Sequence, residues 1–88
     1  MISKNVTIMN KTGIHARPAS MFVQAAAKFK SNVTVEKEGR KGNAKSMLNI
    51  LALSLSKGST ITIWADGEDE AAAVDSLVKL VESKFGEE

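Results

Sequence analysis

The chain has no cysteine, one histidine, one proline and one tryptophan among its 88 residues. Without cysteine there is no disulfide, and a single histidine cannot complete a structural zinc site. No apolar run approaches the ~20 residues of a membrane span. The opening Met1-Ile-Ser-Lys4 has none of the marks of a signal peptide. No Asp or Glu occurs before Glu36, and no glycine-rich phosphate loop is present. These absences lead us to expect one cytoplasmic domain over residues 1–88, with no metal, cofactor or membrane insertion. Any imidazole chemistry has a single address.

What is present suffices for a core. Leu, Ile, Val and Phe number 22, above the range in which a charged chain stays unfolded. A chain this short buries only roughly 60% of its unfolded surface, so a modest margin of stability is expected. The formal charge of +2 divides unevenly. Residues 1–65 carry ten Lys/Arg against Glu36 and Glu38, a net +8, and residues 66–88 carry two lysines against eight acids, a net −6. The basic part suggests an anionic partner, although scattered lysines also keep small domains soluble.

Hydrophobic spacing sets the element order. Ile2, Val6 and Ile8 share one face of a strand, and Asn10 to Gly13 supplies turn residues. Ala19, Phe22, Val23, Ala26 and Phe29 fall on one face of a helix over about 16–29. Pro18 is tolerated only in a first turn, which fixes the start of that helix near His15. A strand over 33–37, a turn at Glu38-Gly39 and a short strand near 40–44 follow. Ser46 is a good N-cap for an apolar helix over 47–53, and residues 60–66 alternate as a strand. Val74, Leu77, Val78, Val81 and Phe85 form the buried stripe of a last helix, with Gly86 as its stop and the acids of 66–70 at its start. Each strand has one polar face. The reading is therefore α+β, an open-faced β-sandwich: a four-stranded antiparallel sheet covered on one side by three helices, in the order β-α-β-β-α-β-α.

His15 stands just before a helix whose start is pinned. The first-turn N–H groups lack intrahelical acceptors and the helix end carries partial positive charge, so the backbone of Ala16 and Arg17 suits phosphate. The same field disfavours an imidazolium, leaving the ring a nucleophile. Arg17 can bring a planar fork to phosphate oxygens. A lone histidine is ordinarily a capping or surface residue; its placement and Arg17 favour chemistry instead. With no acid nearby to complete a triad, the site suits a phosphoryl carrier rather than a turnover enzyme. A carrier needs a docking face. Ala16, Ser20, Met21, Gln24 and Lys28 point away from the first helix's apolar stripe, and Met47, Leu48, Ile50 and Leu51 exceed what one buried face requires. Ile50 is assigned to the core; Met47, Leu48 and Leu51 are expected to form an adaptable patch rimmed by Arg17 and Lys45.

The run Gly13-Ile-His-Ala-Arg-Pro-Ala19, with Lys45-Ser46-Met47-Leu48 as a second block, resembles the HPr family, the histidine-containing phosphocarriers of the bacterial phosphoenolpyruvate:sugar phosphotransferase system. The resemblance extends over the whole chain. It implies a four-stranded sheet under three helices, and a His15 that accepts phosphate on Nδ1 from phosphorylated enzyme I and passes it to enzyme IIA domains. It also implies an Arg17 that contacts the phosphoryl group, and a monomeric carrier. In some members the serine matching Ser46 is phosphorylated by the ATP-dependent HPr kinase/phosphorylase, which leads to a role with a catabolite-control transcription regulator. Members recognised by that kinase usually read glycine and valine where Asn49-Ile50 stand, and methionine at Leu51. One paralogue lacks the histidine and serves regulation alone, which His15 opposes. Another, in a nitrogen-linked chain, usually lacks proline after the arginine, so Pro18 favours the sugar branch.

A competing class is a small KH-like nucleic-acid-binding module, suggested by the basic Gly39-Arg-Lys-Gly42. Such loops join two helices, whereas this one falls in a hairpin, and aromatics for base stacking are scarce. The expectation is no nucleic-acid partner. Asp66 to Glu70 lacks the spacing of a calcium loop. Trp64 falls on the polar face of its strand, with nothing in the sequence to say what covers it.

Overall fold

Alternating strands and amphipathic helices build the expected order. Strand β1 (Ile2–Thr7) is followed by helix α1 (Ala16–Ala27), β2 (Asn32–Lys37), β3 (Arg40–Asn43), α2 (Met47–Ala52), β4 (Thr60–Asp66) and α3 (Glu70–Glu82), with a single 3-10 turn over Lys84–Gly86. The computed structural model describes residues 1–14 and 16–86. The sheet runs β1-β4-β2-β3 and every pairing is antiparallel, with Val6 opposite Ile61, Val35 opposite Ile63 and Lys37 opposite Arg40. The architecture is the open-faced β-sandwich that strand patterning predicts.

One face of the sheet is apolar because the inward positions are Val6, Val33, Val35, Ile61, Ile63 and Ala65, all buried. Ala19, Phe22 and Ala26 of α1 and Val74, Leu77 and Val81 of α3 close over it. Among the described residues, no helix is long and apolar enough to cross a membrane. The opposite sheet face is polar. There Trp64 is half-buried, donates its Nε1–H to Glu36 Oε1 at 3.1 Å, and lines an open cavity of about 250 Å³ with Met1, Thr34 and Lys41. That hydrogen bond between neighbouring strands accounts for an indole on a polar face.

Most boundaries fall within a residue of the periodic reading, and the ends of the two longer helices differ by more. Helix α1 ends at Ala27, because the Lys28 and Phe29 N–H groups reach back to Ala25 and Ala26 in tighter i−3 bonds. Helix α3 ends at Glu82, so Phe85 is not a member of its helical stripe. Lys84 and Phe85 take left-handed φ of 59° and 54°, and this reversal turns the Phe85 ring into the core. Gly86 therefore ends that turn, not the helix.

The acids before α3 tie distant segments together. Asp69 makes no capping bond to its own helix; its carboxylate accepts from the Ser31 hydroxyl, the Lys30 N–H and the Ser31 N–H. The Ser31 hydroxyl and then the Lys30 N–H hold its pKa down at about 2. Glu70 accepts from Gly67 N–H and pairs with the amino terminus at 3.2 Å, and both contacts lower its pKa. The expectation of helix-start charge alone is corrected: these carboxylates clamp the α1–β2 loop and the amino terminus to the base of α3.

Candidate functional site

The loop between β1 and α1 is held from two directions. Asn10, fully buried, donates from Nδ2 to the Gly13 carbonyl at 2.6 Å, and Gly13 N–H donates back to the Asn10 carbonyl at 3.1 Å. Ile14 N–H donates to the Leu55 carbonyl at 2.7 Å. Gly13 has φ 68°, and a Cβ there would lie 2.6 Å from the Leu55 carbonyl oxygen, so both conformation and contact demand glycine. The segment that leads to His15 is thus pinned against the α2–β4 loop. His15 itself lies outside the described residues.

Helix α1 begins at Ala16, the residue after the histidine, where Pro18 predicts. Ala16 has φ 40°, a left-handed value that costs a residue with a Cβ roughly 1–2 kcal/mol. Ala16 and Arg17 are exposed, and Pro18 is buried. In a first turn the N–H groups of Ala16 and Arg17 have no i−4 acceptor, and Pro18 has no N–H at all. The free donors are therefore concentrated next to the histidine. Arg17 makes no side-chain hydrogen bond or ion pair among the described residues.

Helix α2 adjoins this loop. Leu51 lines an open depression of about 300 Å³ with Thr12, Ile14, Ser54, Leu55 and Ser56, so its side chain borders the residues leading into His15. Leu48 is 79% exposed and Leu51 42%, whereas Ile50 is fully buried, the division expected from sequence. Gln24 is exposed and donates to Ser20 Oγ at 3.0 Å. Ser20, Met21 and Met47 are half-buried, the two methionines packed against the core. Their apolar surface is shared between core and patch.

The basic residues behave differently from expectation. Lys45 is half-buried and donates from Nζ to the Phe29 carbonyl at 2.7 Å, two residues past the end of α1, so its ammonium is engaged by the chain's own backbone. Arg40 donates to the carbonyl of Ala52, the last residue of α2, at 2.5 Å, and Lys37 to the Ser54 carbonyl just beyond that helix at 2.8 Å. Three cations of the basic body are thus committed to backbone carbonyls within the fold, and Arg40 meets the last carbonyl of α2, where the macrodipole favours a cation. The Gly39 to Gly42 run spans a hairpin: Glu38 and Gly39 occupy the turn with φ 51° and 81°. It lacks the helix–loop–helix setting of a KH module, and its arginine is committed internally.

Ser46 caps α2 as predicted. Its Oγ accepts from Asn49 N–H at 3.2 Å and from Asn49 Nδ2 at 3.0 Å, while Asn49 Oδ1 accepts from Asn43 N–H at 3.1 Å. Sequence reasoning missed the brace at Asn10 and the clamp at Asn49. Asn10 was visible only as a turn former, and the partners of Asn49 are set by how closely β3 approaches α2. A Cβ at Gly42 would lie 3.3 Å from Asn49 Cβ, so that approach uses the absence of a side chain.

A family model described as the PTS HPr component phosphorylation site matches residues 2–83. The chain is 41% identical to the phosphocarrier protein HPr of Xylella fastidiosa over 88 residues, covering 100% of this chain and 99% of the other. It is 43% identical over 84 residues to the HPr-like protein Crh of Halalkalibacterium halodurans, covering 96% and 100%. The crystal structure of HPr-C-His from Thermoanaerobacter tengcongensis superposes with a TM-score of 0.98 at 51% identity, covering 100% of this chain and 99% of that one. The chain belongs to the HPr family of phosphocarrier proteins of the phosphotransferase system.

Proposed function

We propose that His15 is the phosphoryl acceptor of a one-domain, monomeric cytoplasmic carrier. The imidazole Nδ1 attacks the phosphorus held by phosphorylated enzyme I. The new N–P bond forms as the bond to enzyme I breaks, and an enzyme IIA domain later removes the group by the reverse displacement. The Arg17 guanidinium and the Ala16 and Arg17 N–H groups supply positive potential to the phosphoryl oxygens. Docking of both partners uses Ala16, Ser20, Gln24, Leu48 and Leu51, with Met21 and Met47 adjusting at the margin. The carrier turns over only with its partners. Ser46 is the regulatory position, modified by HPr kinase/phosphorylase. A dianion there gains from the α2 N-terminus but sets charge beside Met47 and Leu48, opposing enzyme I and favouring a catabolite-control regulator.

The observation that carries this reading is one juxtaposition: exposed Ala16 and Arg17 immediately after the single histidine, with exposed Leu51 bordering Thr12 and Ile14 just before it. Nucleophile, anion donors and apolar patch then share one surface, as a carrier with two partners requires. With enzyme I and phosphoenolpyruvate the protein is expected to gain one acid-labile phosphate, absent in His15→Ala. Label retained in that variant contradicts the reading. Arg17→Ala is expected to slow transfer with the fold intact.

A further inference from the structure

Most polar clusters outside the site are spent on holding the fold, as Asp69, Lys37 and Arg40 are. The cap of α2 is different, because its hydrogen bonds fall on an oxygen that has chemistry to do. A serine hydroxyl has two acceptor lone pairs and one proton. At Ser46 two donors, the backbone N–H and the Nδ2 of Asn49, converge on Oγ. The backbone donor is ordinary N-capping and is available to any residue at position 49 except proline. The side-chain donor is particular to Asn49. Its orientation is fixed, because Oδ1 faces the Asn43 N–H, which can only donate, so Nδ2 must face Ser46.

The geometry points to Asn49 as a restraint on Ser46: its side-chain amide sets how readily the hydroxyl can act as a phosphoryl acceptor. The inference rests on the reading of Ser46 as a kinase substrate. In the transfer Oγ attacks the γ-phosphorus of a nucleoside triphosphate. The Oγ–P bond forms, the bridging bond to the β-phosphate breaks, the nucleoside diphosphate leaves, and the hydroxyl proton passes to a base of the kinase. The attacking lone pair must first be released by a donor. With both positions engaged, attack requires loss of the Asn49 Nδ2 bond or of the cap itself. The former is cheaper, since it leaves α2 capped. Asn49 therefore acts on Ser46 as a positioning residue, and its influence belongs to the chemical step more than to kinase binding.

The test compares wild type, Asn49→Ala and Asn49→Gln as substrates of HPr kinase/phosphorylase with ATP, alongside an HPr known to be phosphorylated and with melting temperatures recorded. Release of one ordinary hydrogen bond predicts that Asn49→Ala raises kcat about fivefold, with KM nearly unchanged. Asn49→Gln, with an amide on a longer arm, is expected to fall between. Equal kcat in wild type and Asn49→Ala overturns the inference and leaves the Ser46 reading standing. A change confined to KM also overturns it, because position 49 would then act through recognition. If no variant is modified while the control HPr is, the Ser46 reading fails and takes the inference with it.

Discussion

Helix α3 runs thirteen residues and buries Ala73, Val74, Leu77, Val78 and Val81, whereas α2 runs six and buries Ile50 alone. A six-residue helix has too few internal hydrogen bonds to persist by itself. It is held at both ends instead: by Ser46 and Asn49 at its start, and by Arg40 and Lys37 from the β2–β3 hairpin at its finish. End-clamping frees the sides of the helix. Leu48 and Leu51 can remain in solvent because the helix does not depend on burying them. Packing holds α3 as scaffold, and polar clamps hold α2 as a presented surface.

Two leucines test that contrast. Leu77→Ala in α3 removes a fully buried side chain and is expected to cost 2–5 kcal/mol in urea unfolding, near the limit of what so small a domain tolerates. Arg40→Ala should cost less, about 1 kcal/mol, with faster amide exchange at the end of α2 as its local signature. Acid should weaken the clamp at the base of α3. The folded state holds Asp69 at about 2 against an ordinary 3.8, so its stabilisation is complete above that ordinary value. It disappears as pH falls through about 2. Melting temperatures measured from pH 5 to 2 should fall, and Asp69→Asn should flatten the part of the fall that this carboxyl causes. The smallest effect on stability is expected for Leu48→Ala, within about 0.5 kcal/mol of wild type, although transfer from enzyme I should slow. A Leu48→Ala loss approaching that of Leu77→Ala would erase the distinction between the helices.

Much of this was legible in the sequence, for identifiable reasons. Period-two alternation placed β1 and β4, and Pro18 fixed the start of α1 because its missing N–H permits little else. Ser46 was readable as a cap from residue type and position. The destinations of Lys37, Arg40 and Lys45 were not, because a long cation can reach many carbonyls and only tertiary contacts decide which. Asp69 read as helix-start charge because its partners lie 38 and 39 residues earlier in the chain. Phe85 obeyed the helical spacing without being helical; burial drove it inward through a reversed turn. Of the proposed site, the motif pointed to His15 and Arg17, while the strained Ala16 and the brace at Asn10 became visible only in the folded loop.

The claim that the start of α1 and α2 form one presented surface is tested most directly by titrating the 15N-labelled protein with unlabelled enzyme I and following backbone amide resonances. The account predicts that perturbations gather at Ala16, Arg17, Ser20, Leu48 and Leu51, while Asp75 and Lys79 on α3 stay in place. Perturbations centred on α3, or on the Trp64 face of the sheet, with the start of α1 unmoved would contradict it.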